Sequence, residues 1–173
     1  MKTRINTQIG FTLVELMITM TIAIILLTIG VPSLTNMYQQ TRADKGLEQL
    51  EQAIILARSQ AVSYQSIVSI CPLSSIDMTC GNNWSNGYQV FSDNSDATRP
   101  DKVLKRVTDI PSDDFLSGSI AKISFDTKGH FVSANAVTFS YCPSSVDSSN
   151  TKSLSVDNRG NINPSSQVAC DSN

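Results

Sequence analysis

Residues 11–31 read FTLVELMITMTIAIILLTIGV, an apolar run of 21 residues with one charge, Glu15. A helix rises ~1.5 Å per residue and the bilayer hydrocarbon is ~30 Å thick, so about 20 such residues span it. Lys2 and Arg4 precede the run. Positive charge beside a first span is retained on the cytoplasmic side, which predicts that everything after Pro32 lies across the inner membrane. The sequence therefore describes a membrane-tethered chain with an exported C-terminal body.

The order of the N-terminal parts is informative. A secretory signal has an apolar core of about 7–15 residues followed by a small-residue cleavage site. Here a polar leader, residues 1–10, ends in Gly10 before the apolar run begins. The stretch Gly10-Phe11-Thr12-Leu13-Val14-Glu15 closely resembles the N-terminus of type IV prepilins and type II secretion pseudopilins. That resemblance implies cleavage by a prepilin peptidase between Gly10 and Phe11, followed by N-methylation of Phe11.

Glu15 has a physical reading of its own. A carboxylate at the centre of a membrane helix costs roughly 2.5–3.5 kcal/mol or more, so such groups face a partner. Cleavage would place the free amine of Phe11 within a helical turn of it, and a neighbouring subunit's amine could serve equally. The plain alternative is a near-terminal Glu that reaches towards the interface with no specific role. The resemblance implies that the matching Glu aligns subunits during assembly.

Composition narrows the function classes. The 173 residues, less leader and span, leave one globular domain of ordinary size. The chain has 13 basic and 15 acidic residues; without Lys2 and Arg4 the count is 11 against 15, a formal charge of −4. Such a chain lacks the strongly basic footprint of nucleic-acid binding, although a local basic patch stays open. Cys71, Cys80, Cys142 and Cys170 all lie in the exported part. Four cysteines in an oxidising compartment predict two disulfides out of three pairings, with sequence order favouring Cys71–Cys80 and Cys142–Cys170. No metal site is expected, because no Cys-x-x-Cys pair occurs and His130 is the only histidine. Asp113-Asp114 falls short of the oxygens a calcium ion needs. No phosphate loop, nucleophile elbow or paired-carboxylate signature occurs, so neither an enzyme nor a cofactor is expected.

Beyond the span, residues 32–64 keep a helical period. Leu34, Met37, Tyr38, Leu47, Leu50, Ile54, Ala57 and Ala61 form an apolar stripe opposite a charged face. Gly30 and Pro32 interrupt the pattern and are expected to kink the helix, so that residues 11–64 read as one long, kinked helix ending near Tyr64. From 65 to 173 the texture changes to β-like runs at 67–71, 87–91, 103–107, 120–125, 137–142 and 153–157. Asp126-Thr127-Lys128-Gly129 reads as a hairpin connection, residues 92–101 as an exposed loop and 144–152 as a mobile one. His130 reads as a surface strand residue.

The body carries a second resemblance. Ala57-Arg58-Ser59-Gln60-Ala61, Ile70-Cys71-Pro72, Cys80-Gly81, Trp84 with Gly87-Tyr88-Gln89-Val90-Phe91, and Ile123-Ser124-Phe125 with Gly129 are similar to the FimT/FimU and GspH family of minor pilins and pseudopilins. The resemblance supports the Cys71–Cys80 pairing and implies an α+β, type IV pilin-like fold: a long N-terminal helix packed on an antiparallel β-sheet head. It implies a structural subunit that primes or joins a type IV pilus, near its tip. Its partners would be other major and minor pilins and the inner-membrane assembly platform. A type II secretion pseudopilin is the nearest alternative. Trp84 is expected to pack over the short disulfide loop rather than to form a stacking platform. Some FimT-like members bind DNA through a C-terminal Gly-Arg-x-Arg motif. Here the region reads Asp157-Asn158-Arg159-Gly160-Asn161, with the Arg before the Gly and the second Arg missing. One cation neutralises few phosphates, so Arg159 makes DNA contact a disfavoured alternative.

Overall fold

The structure, a computed structural model, describes residues 11–76, 79–92, 102–132 and 135–170. The leader with Gly10, and most of the expected loop at 92–101, lie outside the described residues. Helix α1 spans Leu13–Tyr64. It runs unbroken through Gly30 and Pro32, as the one long helix expected from the sequence. Pro32 lacks the N–H that would bond Thr28 O; the neighbouring threonine hydroxyls donate to other carbonyls, Thr28 Oγ1 to Ile25 O at 2.8 Å and Thr35 Oγ1 to Val31 O at 3.0 Å. At the other end Gln65 takes a positive φ of 51°, and Ser66 N–H donates back to Ala61 O. That is a left-handed C-terminal cap built on a non-glycine residue. The Gln65 amide supports it by donating to Val62 O at 2.7 Å.

The chain falls into two compact units, one ending at Tyr38 and one beginning at Gln39. In the first, the large apolar side chains of α1 are exposed, and the helix is long and apolar enough to cross a membrane. Leu34, Met37 and Tyr38 belong to this exposed set, not to a buried stripe. In the second unit the buried face of α1 is Ala43, Leu50, Ala53, Ile54, Ala57 and Ala61. Alanines set that face because a small side chain lets strands approach the helix closely.

Among the described residues the head has two four-stranded antiparallel sheets. The first has the order β3-β2-β1-β5, from β1 (Val68–Pro72), β2 (Tyr88–Ser92), β3 (Lys102–Val107) and β5 (Ile123–Phe125). The second has the order β4-β6-β7-β8, from β4 (Phe115–Gly118), β6 (Val137–Cys142), β7 (Lys152–Val156) and β8 (Ile162–Ser165). Sequence reading gives no strand at β4 or β8, and it overextends β5. Residues 119–121 bend instead, which lets Ile120 O accept from Trp84 Nε1 at 2.9 Å.

Between α1 and the sheets lie Trp84, Tyr88, Phe125, Phe139 and Tyr141, with the buried aliphatic residues of β1, β2 and β7. Trp84 sits in a one-turn 3-10 segment, Trp84–Asn86, capped by Asn83. Its ring meets Phe139 edge-on with centroids 4.9 Å apart. It is thus a core residue, though its ring partners, Phe139 of β6 and Tyr88 of β2, lie outside the disulfide loop. Residues 144–152, expected to be mobile, are tied down. Asn150 Nδ2 donates to Gln39 Oε1 at 2.8 Å, Thr151 is buried, and Cys170 N–H donates to Val146 O.

Candidate functional site

At the N-terminal end, Thr12 precedes the helix and caps it. Glu15 N–H donates to Thr12 Oγ1 at 3.3 Å, and the Thr12 hydroxyl reaches Glu15 Oε2 at 3.5 Å. Thr-x-x-Glu at the first turn is a capping-box spacing, with an acid where the helix dipole favours one. That signal was readable in the sequence and gives Thr12 a part that the prepilin resemblance alone does not assign. Phe11, Leu13 and Val14 beside it are exposed. The arrangement places a carboxylate and an apolar helix surface in the open, with chemistry for packing against other helices.

Arg159 lies in the β7–β8 connection. Asp157 organises that turn: its Oδ1 accepts from the N–H groups of Arg159 and Asn161, both at 2.8 Å, and its Oδ2 from Asn161 Nδ2 at 2.9 Å. These donors, led by the Asn161 N–H, hold the Asp157 carboxyl below its ordinary range. The turn after β5 is built the same way. Asp126 Oδ1 accepts from Lys128 N–H at 2.9 Å and His130 N–H at 2.7 Å, which lowers its pKa in turn. Gly129 and Gly160 occupy matching positions with φ of 76° and 79°. His130 is exposed in this turn, not on a strand; the pairing resumes at Phe131, opposite Phe125.

Arg58 of α1 lies against both turns. Its Nη1 donates to Gly160 O at 3.3 Å, and a β-carbon on Gly129 would meet its Cγ at 3.3 Å. Arg159 therefore has Arg58 near its turn, with the Asp157 carboxylate in the same turn.

The adjacent acids separate. Asp113 stays exposed, whereas Asp114 is buried on Arg42. No group of three His, Cys, Asp or Glu able to hold a metal occurs among the described residues. The cysteines form Cys71–Cys80 and Cys142–Cys170 disulfides; the first closes the loop after β1, and the second ties the end of β6 to Cys170.

A long helix with an exposed apolar N-terminal part, followed by a disulfide-bonded antiparallel head, defines a type IV pilin-like protein. Two family models match the chain: the prokaryotic N-terminal methylation motif over residues 5–31 and the type II transport protein GspH over residues 47–160. The chain belongs to the GspH family. In fold it resembles the type IV minor pilin FimU of Pseudomonas aeruginosa, with a TM-score of 0.58 and 19% identity over 78% of this chain and 93% of that one. It also resembles the minor pseudopilin EpsH from the type 2 secretion system of Vibrio cholerae, with a TM-score of 0.53 and 10% identity over 72% and 97%. No curated protein sequence matches the chain.

Proposed function

We propose that this chain is a minor pilin: a structural subunit held in the inner membrane by α1, with its head in the periplasm. It primes or joins assembly of a type IV pilus near the tip and becomes part of the fibre. The observation that carries this reading is Glu15, a lone carboxylate in the first turn of an exposed apolar helix, four residues from Phe11. After a prepilin peptidase cuts between Gly10 and Phe11, the methylated amine of Phe11 becomes the natural counter-charge for Glu15. That amine belongs to the same chain or to a neighbouring major or minor pilin delivered by the assembly platform. The two disulfides stabilise the head in that compartment.

Two substitutions test it. Gly10→Val should block leader removal without preventing insertion, and the wild-type mature chain should begin at Phe11 by mass spectrometry. Glu15→Ala should insert and fold its head, yet enter filaments poorly. A mature N-terminus elsewhere, or filaments of normal number with Glu15→Ala, would overturn the reading. The GspH match and the EpsH-like fold favour one second reading, a pseudopilin of a secretion system. Export of a secreted substrate, lost on deletion while pili persist, would select it.

A further inference from the structure

A groove of about 370 Å³ runs along the head between α1 and the open edge of the second sheet. Its floor is apolar, with Leu47, Leu154, Ile162 and Pro164, and its helix side carries Asp44, Glu48 and Glu51. Lys152 answers Asp44 at 3.1 Å. Glu48 takes only the Gln52 amide, at 3.4 Å, and no cation among the described residues pairs with Glu48 or Glu51. The groove is thus an apolar slot with two unanswered carboxylates on its rim.

The opposite character occurs elsewhere on the same head. β3 is the outer strand of the first sheet and carries Lys102, Lys105 and Arg106. Lys102 lies over the Tyr64 ring, 5.6 Å from its centroid, and Arg106 donates to Gln89 Oε1 at 3.0 Å. Neither contact offsets a positive charge, and no carboxylate among the described residues pairs with the three. Exposed Val103 lies between them as an apolar contact.

We propose that the α1–β8 groove of one subunit receives the β3 edge of a second copy of this chain. The occupant is argued from charge: the acidic rim and the basic edge are complementary and lie on different elements. The groove of one copy can therefore receive the edge of its neighbour through two different surfaces, a heterologous contact. Docking through side chains fits better than strand addition. β3 is interrupted by a register shift opposite Val90 and Phe91 and studded with lysine, both devices that discourage edge pairing. β8 carries Pro164, which has no N–H to offer. The contact rests on the subunit reading only in requiring that copies meet.

The test uses the full-length chain in its own membrane, with Val103 replaced by the photoreactive residue benzoylphenylalanine. Irradiation should give a dimer whose cross-linked peptide maps to 44–51 or 162–165. Glu48→Lys with Glu51→Lys should cut the yield roughly tenfold or more, as should Lys102→Glu with Lys105→Glu, because like charges then face each other. All four together should restore it. Intact disulfides by peptide mapping confirm that each variant folds. A yield indifferent to either reversal, no rescue in the combined variant, absence of a dimer, or a cross-link to another protein alone would overturn the proposal. Filament number is a separate readout: its loss with the cross-link preserved removes the priming role and leaves this contact standing.

Discussion

Arg42 and Asp114 form a half-buried ion pair in the head, with Arg42 Nη2 2.8 Å from Asp114 Oδ1 and the Asp114 side chain wholly enclosed. Asp114 also accepts from Tyr141 Oη at 2.7 Å and from Ser144 N–H at 3.0 Å. Burial, followed by that hydrogen bond, pushes the Tyr141 hydroxyl well above its ordinary range, so it stays a donor. One carboxylate thus joins α1, β6 and the segment after β6.

Removing the carboxylate takes away the acceptor shared by Arg42, Tyr141 and the Ser144 N–H, while Arg42 Nη2 keeps Ser144 Oγ at 2.8 Å. Asp114→Ala should therefore destabilise the head by at least about 1.5–3 kcal/mol, the range for a single hydrogen bond to a charged group. Tyr141→Phe removes a single bond to a charged group and should cost about 1.5–3 kcal/mol. Denaturant unfolding of the detergent-solubilised full chain measures both. Equal, near-zero effects would mean that the pair contributes no net stability.

Gly46 sits where the Tyr141 ring lies on the helix, and a β-carbon there would overlap the ring. In a free helix Gly→Ala gains up to ~1 kcal/mol. Here overpacking, typically about 1–3 kcal/mol, should outweigh that gain. Gly46→Ala is therefore expected to lower Tm, whereas adding it to Tyr141→Ala should raise Tm relative to Tyr141→Ala alone. A higher Tm for the single Gly46→Ala chain would contradict the close contact.

The disulfides close loops of separation 9 and 28. In the chain-entropy model these correspond to about 2.5 and 3.5 kcal/mol. Non-reducing peptide mapping should find Cys71 with Cys80 and Cys142 with Cys170. Replacing Cys142 and Cys170 by Ala should cost more than replacing Cys71 and Cys80, and should raise amide exchange at Val168, whose N–H donates to Ser153 Oγ. The reverse ranking would assign the larger constraint to the short loop.

Asp126 and Asp157 are held below the ordinary carboxyl value of 3.8 by backbone N–H donors, chiefly those of His130 and Asn161. A depressed native pKa stabilises above the unfolded value, and the gain is lost as pH falls through the native one. Their contribution is therefore full above the unfolded carboxyl value of 3.8 and is lost only as pH falls on through the lower native values. Asp126→Asn keeps an acceptor for the turn but removes one titration. It should flatten the acid limb of the stability–pH curve; an unchanged limb would dismiss the turn as a source of acid sensitivity.

The helix and six strands were legible because their residues carry a period or a β-branched run. β4 and β8 were not, and both are outer strands of the second sheet. An edge strand has one partner and an open side, so Leu116 is the only buried residue of β4, and β8 reads Ile-Asn-Pro-Ser. The buried helix face was half legible for a related reason. Ala43 and Ala53 are fully enclosed yet add little hydropathy, while Leu34 and Met37 are apolar and exposed. Glu15 and Phe11 stood out by charge and position. The β8 groove rim did not, because its carboxylates read as an ordinary solvated helix face.

Arg58, held between the turns at Gly129 and Gly160, makes two loops far apart in sequence answer to one side chain. Changes in either turn shift the ground on which the other stands. Substitutions at Lys128 and Arg159 should thus be read jointly, since the effect of each depends on how Arg58 resettles. A scan that changes one position at a time would score two weak sites where the molecule has one shared support.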